Sequence, residues 1–274
     1  MLDRPFLKFC LLLVALLGMP AAALAAGKCE RLVATGHPDY PPFMWRDPQN
    51  PQQLIGAQAD LLAQLGKELG VRIDVLYGRS WDKAQDEARS GRVDLLAGSA
   101  LTLADLETMD YVHPSAFSRA KVVWVRNIAS FPYIEWADLR ERRGAVVSSD
   151  FGQAFDEFAK ANLSLEQGAN LTQMFQKLML GEVDYVLHER EPGLALAYTL
   201  GLQDDLLALS PPIASEGLYF ALSHNSACND AWLRGQLAKK MTELVAAGLP
   251  ETLLQRNLLL WKEQQLQSAS TPNP

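Results

Sequence analysis

His188 and Glu189 stand at the end of a short apolar run, Val183 to Leu187, broken only by Asp184. A run of that length and character reads as a strand buried between two layers. In open α/β sheets ligands sit just beyond the carboxyl ends of such strands, so this carboxylate could hold a cation and the imidazole a polar group. Three other stretches carry comparable chemistry. Gly36-His37-Pro38-Asp39-Tyr40-Pro41-Pro42-Phe43 forms an extended loop, because its prolines forbid helix, and it presents Asp39 and Tyr40. Gly98-Ser99-Ala100-Leu101-Thr102 is a strand end of small residues, where a backbone can approach a ligand closely. Ser148-Ser149-Asp150 precedes Phe151, Phe155 and Phe158, an apolar stripe at helical spacing, so Ser149 or Asp150 is placed to cap a helix N-terminus that could face an anion.

These residues need elements to position them. Leu171, Met174, Phe175, Leu178 and Met179 recur at helical spacing and run into Gly181, the usual stop after a helix. The unit Gly181-Glu182-Val183-Asp184 then opens the strand that ends at His188-Glu189. A near-copy, Gly91-Arg92-Val93-Asp94-Leu95-Leu96-Ala97-Gly98, lies about ninety residues upstream. Two such units predict two similar lobes facing each other. The first lobe opens with a strand at Leu32–Thr35, a helix from Gly56 to Gly70, a strand from Val71 to Tyr77 and a helix from Trp81 to Arg89, a β-α-β-α-β series with a mostly parallel sheet. Asp110–Pro114 and Lys121–Arg126 read as a passage into the second lobe. Pro211 to Ser223 reads as the return, with a strand at Leu218–Leu222. Helices over 230–247 and 250–266 close the fold, and 267–274 is a polar tail expected to be disordered.

Residues 1–25 carry Arg4 and Lys8, an apolar run from Phe9 to Leu17 and an Ala23-Leu24-Ala25 cleavage pattern, the signature of a secretory signal peptide. The apolar run is shorter than the ~20 residues a membrane span needs. Removal of these residues, with Asp3, takes the formal charge from -7 to about -8. The basic residues form no stripe, which argues against a nucleic-acid partner. Cys10 leaves with the signal, and Cys29 and Cys228 remain, either bridged in an oxidising compartment or two separate thiols. His37, His113, His188 and His224 lack metal-ligand spacing, and no cofactor motif or catalytic motif of a hydrolase or phosphate loop is present.

Taken in order, Thr35 to Phe43, Gly56 with Asp60, the Gly-Arg-Val-Asp unit, the Gly-Glu-Val-Asp-Tyr-Val-Leu-His-Glu unit and the Leu244-Val245-Ala246-Ala247-Gly248 helix end resemble a periplasmic solute-binding protein serving polar amino-acid ABC transporters, the bacterial extracellular solute-binding family 3. The resemblance covers essentially the whole chain after residue 25. It implies the two-lobed type II periplasmic-binding-protein fold, α/β, each lobe a mostly parallel sheet flanked by helices, with two crossing strands as hinge. Residues 26–114 plus 218–266 would form lobe 1 and residues 115–217 lobe 2. Both cysteines then fall in lobe 1, which favours a Cys29–Cys228 disulfide.

The resemblance also implies a site. Its ligand-stacking aromatic falls on Tyr40, its strand-end contacts on Gly98, Ser99 and Ala100, its second-lobe helix N-terminus on Ser148, Ser149 and Asp150, and its ammonium-binding carboxylate on Glu189 beside His188. One departure bears on the ligand. Where the family has Thr-x-x-Arg, with the arginine clamping an α-carboxylate, this chain has Thr102-Leu103-Ala104-Asp105. Arg119 or the helix near Ser148 must then take the anion, or the ligand is an amine or another small polar solute, which Asp39, Asp105 and Glu189 would favour. Asp105 itself reads as an exposed helix cap. The resemblance implies an exported periplasmic monomer without cofactor or metal, not an enzyme, that delivers its solute to a membrane permease or sensor. The alternatives are an enzyme on this scaffold, like cyclohexadienyl dehydratase, with Glu189 or His188 as acid or base, or a ligand-less interaction module.

Overall fold

A computed structural model describes residues 29–148 and 150–270. The signal peptide expected over 1–25 and the site residue Ser149 therefore lie outside the described residues. Strand β1 (Arg31–Gly36) leads into a small antiparallel sheet of β2 (Asp39–Tyr40), β3 (Met44–Arg46) and β4 (Leu54–Ile55). Helix α1 (Ala57–Leu69), β5 (Arg72–Val75), α2 (Trp81–Arg89), β6 (Leu95–Ser99) and the long β7 (Met109–Arg126) follow. Next come β8 (Arg143–Val146), α3 (Gln153–Asn162), β9 (Ser164–Gln167), α4 (Leu171–Leu180), β10 (Tyr185–Glu189), α5 (Arg190–Leu200) and β11 (Leu206–Ala208). Strand β12 (Ala214–Ser223) returns along β7, and α6 (Ala231–Ala246) and α7 (Leu249–Ser270) finish the described chain.

The main sheet runs β5-β1-β6-β12-β7-β10-β8-β9, with β11 on β7. Its outer pairs are parallel: β1 with β5 and β6, and β8 with β9 and β10. The central pair, β7 with β12, is antiparallel from Ser223 opposite Met109 to Ala214 opposite Lys121. Two parallel blocks are thus joined by two long strands. The apolar core follows the same division. Leu61, Leu62, Leu65, Leu95 and Phe220 are buried together, while Trp124, Met174, Phe175 and Val186 form a separate cluster.

The repeated Gly-x-Val-Asp unit has a physical explanation. Gly181 caps α4 at φ 72°, its N–H bonded to the Leu178 and Lys177 carbonyls, in the left-handed region that suits glycine. Asp184 then accepts the Arg143 N–H at the start of β8 (2.8 Å), and Asp94 accepts the Val33 N–H of β1 (2.7 Å). Each aspartate ties its own strand to the first strand of its block. Both acids are structural.

The sequence reading departs from the structure in several places. Arg190–Leu200 is a helix that the residue pattern did not announce; Pro192 is tolerated because it falls in the first turn, where no N–H is required. The passage from Asp110 to Arg126 is one unbroken strand. Helix α3 begins at Gln153 with Gly152 as its N-cap, at a φ of 99°, so Asp150 is not its cap. Helix α7 runs on to Ser270, beyond the expected end at Leu266, so 267–270 is helical and not a disordered tail. Asp60 of α1 accepts 2.6 Å hydrogen bonds from Arg256 and Asn257 of α7, tying that last helix to the first. The Cys29–Cys228 disulfide that the resemblance favoured is present, with Cα atoms 5.6 Å apart, joining the start of β1 to the turn before α6.

Candidate functional site

β6 and β10 end on facing sides of one cleft. Its main part encloses about 350 Å3 and is lined by Tyr40, Gly98, Ser99, Ala100, Arg119 and Glu189, with His37, Trp81, Gln85, Thr102, Asp105 and Leu218 completing the wall. A smaller adjoining part of about 110 Å3 is lined by Ser148, Asp150, Phe151, His188 and Lys121, and shares Arg119 and Glu189. A larger cavity of about 430 Å3 under Phe155 and Leu163 contains none of the expected site residues.

Between the two parts of the cleft stands a polar bridge. The Tyr40 hydroxyl donates to Glu189 Oε2, and Arg119 Nη1 lies 3.5 Å from Glu189 Oε1. These three residues come from β2, β7 and β10. Glu189 is the last residue of β10 and the residue before α5, so it sits at the strand's end and not beyond it. Burial pushes its carboxyl above the usual carboxylate range, against the opposing pull of Tyr40, Arg119 and Lys121. The same burial, with Glu189 beside it, pushes the Tyr40 hydroxyl strongly up, so it stays a donor. His188 is held neutral, its pKa lowered to about 4 by burial.

A second carboxylate steadies the arginine. Glu216, opposite Arg119 across the β12–β7 pair, accepts from Arg119 Nε at 3.0 Å and lies 3.0 Å from Lys121 Nζ. Burial works against the Arg119 charge, but Glu189, Tyr40 and Glu216 hold the guanidinium above its ordinary value. Glu216 is pushed up by burial yet ends below its usual range because Lys121 and Arg119 both donate to it. Lys121, only 7% exposed at its side chain, also donates to the Asp150 carbonyl and so anchors the segment after Ser148. Two cations and two carboxylates thus share the hinge end of the cleft.

The opposite wall is aromatic and small. His37 stacks near Tyr40 and Trp81, with ring centres 5.4 and 5.6 Å apart, and Tyr40 packs on Phe43 at 5.0 Å. Gly98 has φ +80°, and a side chain there would meet the Gln58 amide. Ser99 is oriented by Tyr111, whose hydroxyl donates to the Ala100 carbonyl at 2.9 Å and lies 3.2 Å from Ser99 Oγ. Asp105 opens a short 3-10 turn, but it is not a solvated cap. Its carboxylate accepts from Thr102 Oγ1 at 2.8 Å and from Arg89 Nη2 at 3.0 Å, and it faces the cleft. Arg89, a guanidinium from α2, therefore partly neutralises the acid that stands where the family arginine was expected.

Sequence reasoning missed Trp81, His37, Lys121, Glu216 and Tyr111. A signal existed for Lys121: it and the expected Arg119 are charges at alternate positions of an apolar strand, which puts both on one face. Their partner Glu216 is 97 residues from Arg119 and could not be paired without the register.

The family model for bacterial extracellular solute-binding proteins, family 3, matches residues 32–256. The chain belongs to that family. Solved structures agree in fold. The second substrate-binding domain of a putative amino acid ABC transporter from Streptococcus pneumoniae is 20% identical, with a TM-score of 0.66 over 83% of this chain and 99% of that one. Substrate-binding domain 2 of Lactococcus lactis GlnP, in an open conformation, is 17% identical with a TM-score of 0.68 over 84% and 96%. A histidine kinase sensor domain with similarity to periplasmic binding proteins is 21% identical with a TM-score of 0.57 over 84% and 96%. No curated protein matches the sequence. The architecture is the type II periplasmic-binding-protein fold that the family resemblance implied. No helix among the described residues is long and apolar enough to cross a membrane. Nor do the described residues hold a cluster of His, Cys, Asp or Glu arranged for a metal ion.

Proposed function

We propose that this protein is an exported, non-enzymatic receptor that binds a small polar solute carrying an ammonium group, an amino acid or an amine, between two lobes. Residues 26–114 with 218–266 make one lobe and 115–217 the other, and β7 and β12 cross between them. The observation that carries this reading is the Tyr40–Glu189–Arg119 bridge across the cleft. Glu189 is a partly buried acceptor already served by groups from different elements, so a ligand ammonium can replace the Tyr40 hydroxyl without leaving a charge unpaired. Arg119, drawn off Glu189, becomes the group that receives a carboxylate where one is present. Ser99, the Gly98 and Ala100 backbone, Ser148 and His188 supply neutral contacts from both sides. Contacts to both lobes are what a hinge equilibrium needs if a ligand is to shift it. The liganded form would dock as a monomer on a permease or a sensor protein.

A thermal-shift screen of the exported form against amino acids, amines and short organic acids tests this. A true ligand at about a hundredfold over its Kd stabilises by about 2.7 kcal/mol, a Tm rise of roughly 5–10 °C. The rise should vanish in Glu189→Ala and shrink in Arg119→Met for amino acids more than for amines. A screen in which only organic acids stabilise, independently of Glu189, contradicts the reading.

A further inference from the structure

The family match ends at residue 256, yet α7 continues from there to Ser270. Leu254, Leu258 and Trp261 recur at helical spacing and turn one face of this helix inward, while Leu259 and Leu266 lie exposed on another. The first half is fixed to lobe 1: Leu253, Leu254 and Leu258 are buried, and Asn257 donates to Asp60 of α1 at 2.6 Å. One turn later the helix touches both lobes at once. The Trp261 ring stands edge-on to Trp45 of lobe 1, with ring centres 5.5 Å apart, and Trp45 Nε1 donates to Gln264 at 2.9 Å. Trp261 Nε1 donates to the Ala195 carbonyl and the Thr199 hydroxyl of α5, in lobe 2, each at 3.2 Å. Lys262 Nζ sits over the Tyr198 ring of the same helix, 4.8 Å from its centre.

Helix α5 is fixed in its turn to lobe 2. Ala197 is buried with Trp124 in that lobe's core, and Gly193 lies against the Trp124 ring, where a side chain would not fit. The helix starts directly after Glu189, so the carboxylate of the cleft and the surface gripped by α7 are two points on one rigid element. At 1.5 Å per residue they stand about 9–15 Å apart along its axis. Swinging lobe 2 away from lobe 1 therefore parts Glu189 from Tyr40 and Ala195 from Trp261 together. Trp261 and Tyr198 are only partly buried, so water can take over the released groups and the contact can open. We propose that residues 257–270 of α7 form a strap across the hinge, with Trp261 as its clasp, that holds the lobes where Tyr40 meets Glu189 and so presets the cleft for its solute. Apparent affinity scales with the fraction of molecules already in the binding-competent arrangement, so a strap that raises this fraction about threefold tightens binding about threefold. That consequence rests on the receptor function proposed for the cleft; the strap itself does not.

The test is double electron–electron resonance on the exported form, solute-free, with the native disulfide intact. Nitroxide labels go on Asp82→Cys of α2 and Lys160→Cys of α3, exposed positions outside the cleft lining and on opposite lobes. Trp261→Ala should lower the population at the wild-type distance at least about threefold in favour of a longer one. Trp261→Phe, which keeps a ring but has no N–H to donate, should act in the same direction and less. Leu259→Ala, on the exposed face of the same helix, should leave the distances unchanged. If Trp261→Ala does not fold, Trp261→Phe with Lys262→Ala carries the test, because it keeps an aromatic ring beside Trp45. Unchanged distances in the Trp261 variants overturn the strap, even if their urea midpoints fall, since α7 then only adds stability. A wild-type distribution as broad as that of Trp261→Ala, or equal opening in Leu259→Ala, overturns it too. Because no solute is present, failure of the thermal screen would end the receptor function and leave an observed strap standing.

Discussion

Replacing Tyr40 by phenylalanine deletes one oxygen and leaves the ring against Phe43 and His37. The lost atom is the hydroxyl that donates to Glu189 Oε2 from a strand 149 residues away in the chain. Hydrogen bonds to a charged group contribute about 1.5–3 kcal/mol. Glu189 is 17% exposed, so water reaches it in part, and the lower end applies, about 1.5 kcal/mol. For a chain of this size that is a Tm fall of roughly 3–6 °C. The pair is isolated by a double-mutant cycle of Tyr40→Phe and Glu189→Gln, with stability read from urea midpoints at pH 8. The coupling should be about 1–2 kcal/mol and should persist at 0.5 M NaCl, because the bond is partly buried. A coupling below about 0.5 kcal/mol would mean that the bridge is not populated in solution, and the reasoning that builds the site on it fails.

His188 supplies a pH signature. Burial lowers its pKa from 6.5 to about 4, so as pH falls the unfolded chain takes up the proton first. That stability is complete above about 6.5 and is lost as pH falls through 4, with a ceiling of about 3 kcal/mol at 1.36 kcal/mol per pH unit. Glu189, raised by burial, slopes the opposite way, so wild type and His188→Asn are compared at each pH; superimposable urea midpoints from pH 7 to 4.5 would contradict the burial argument. Gly98→Ala should cost about 1–3 kcal/mol, since the residue has φ +80° and its new methyl would stand 2.5 Å from the Gln58 amide; a neutral change in urea midpoint would refute the close approach. Glu216→Gln leaves Arg119 with Glu189 and Lys121 with Asp150; allowing for the 38% exposure of Glu216, the loss should be about 1–2 kcal/mol and should be reduced by adding Arg119→Met. No such rescue would show that the four charges do not act together.

What the residue pattern made legible was local or repeated. The two helix-Gly-x-Val-Asp-strand units stood out because a left-handed glycine stop and a buried strand each leave a mark within a dozen residues. Tyr40 and Gly98–Ala100 were marked by proline and by small side chains at a strand end, and the structure brings them to the cleft that Glu189 faces. What was hidden depended on register or on context. The pairing of Glu216 with Arg119 follows from two long strands aligning over ten residues, and no local rule sets that alignment. Asp105 read as a solvated cap because its partner Arg89 lies on another element.

The central claim is that one solute is held from both sides of the gap between β6 and β10. A 1H–15N titration with the best hit from the thermal screen tests it most directly. The account predicts that the amides of Gly98 and Ser99 on one side and of Ser148 and His188 on the other shift together, along a single saturation curve that Glu189→Gln displaces at least tenfold. Shifts on one side alone, or a curve indifferent to Glu189, would contradict it.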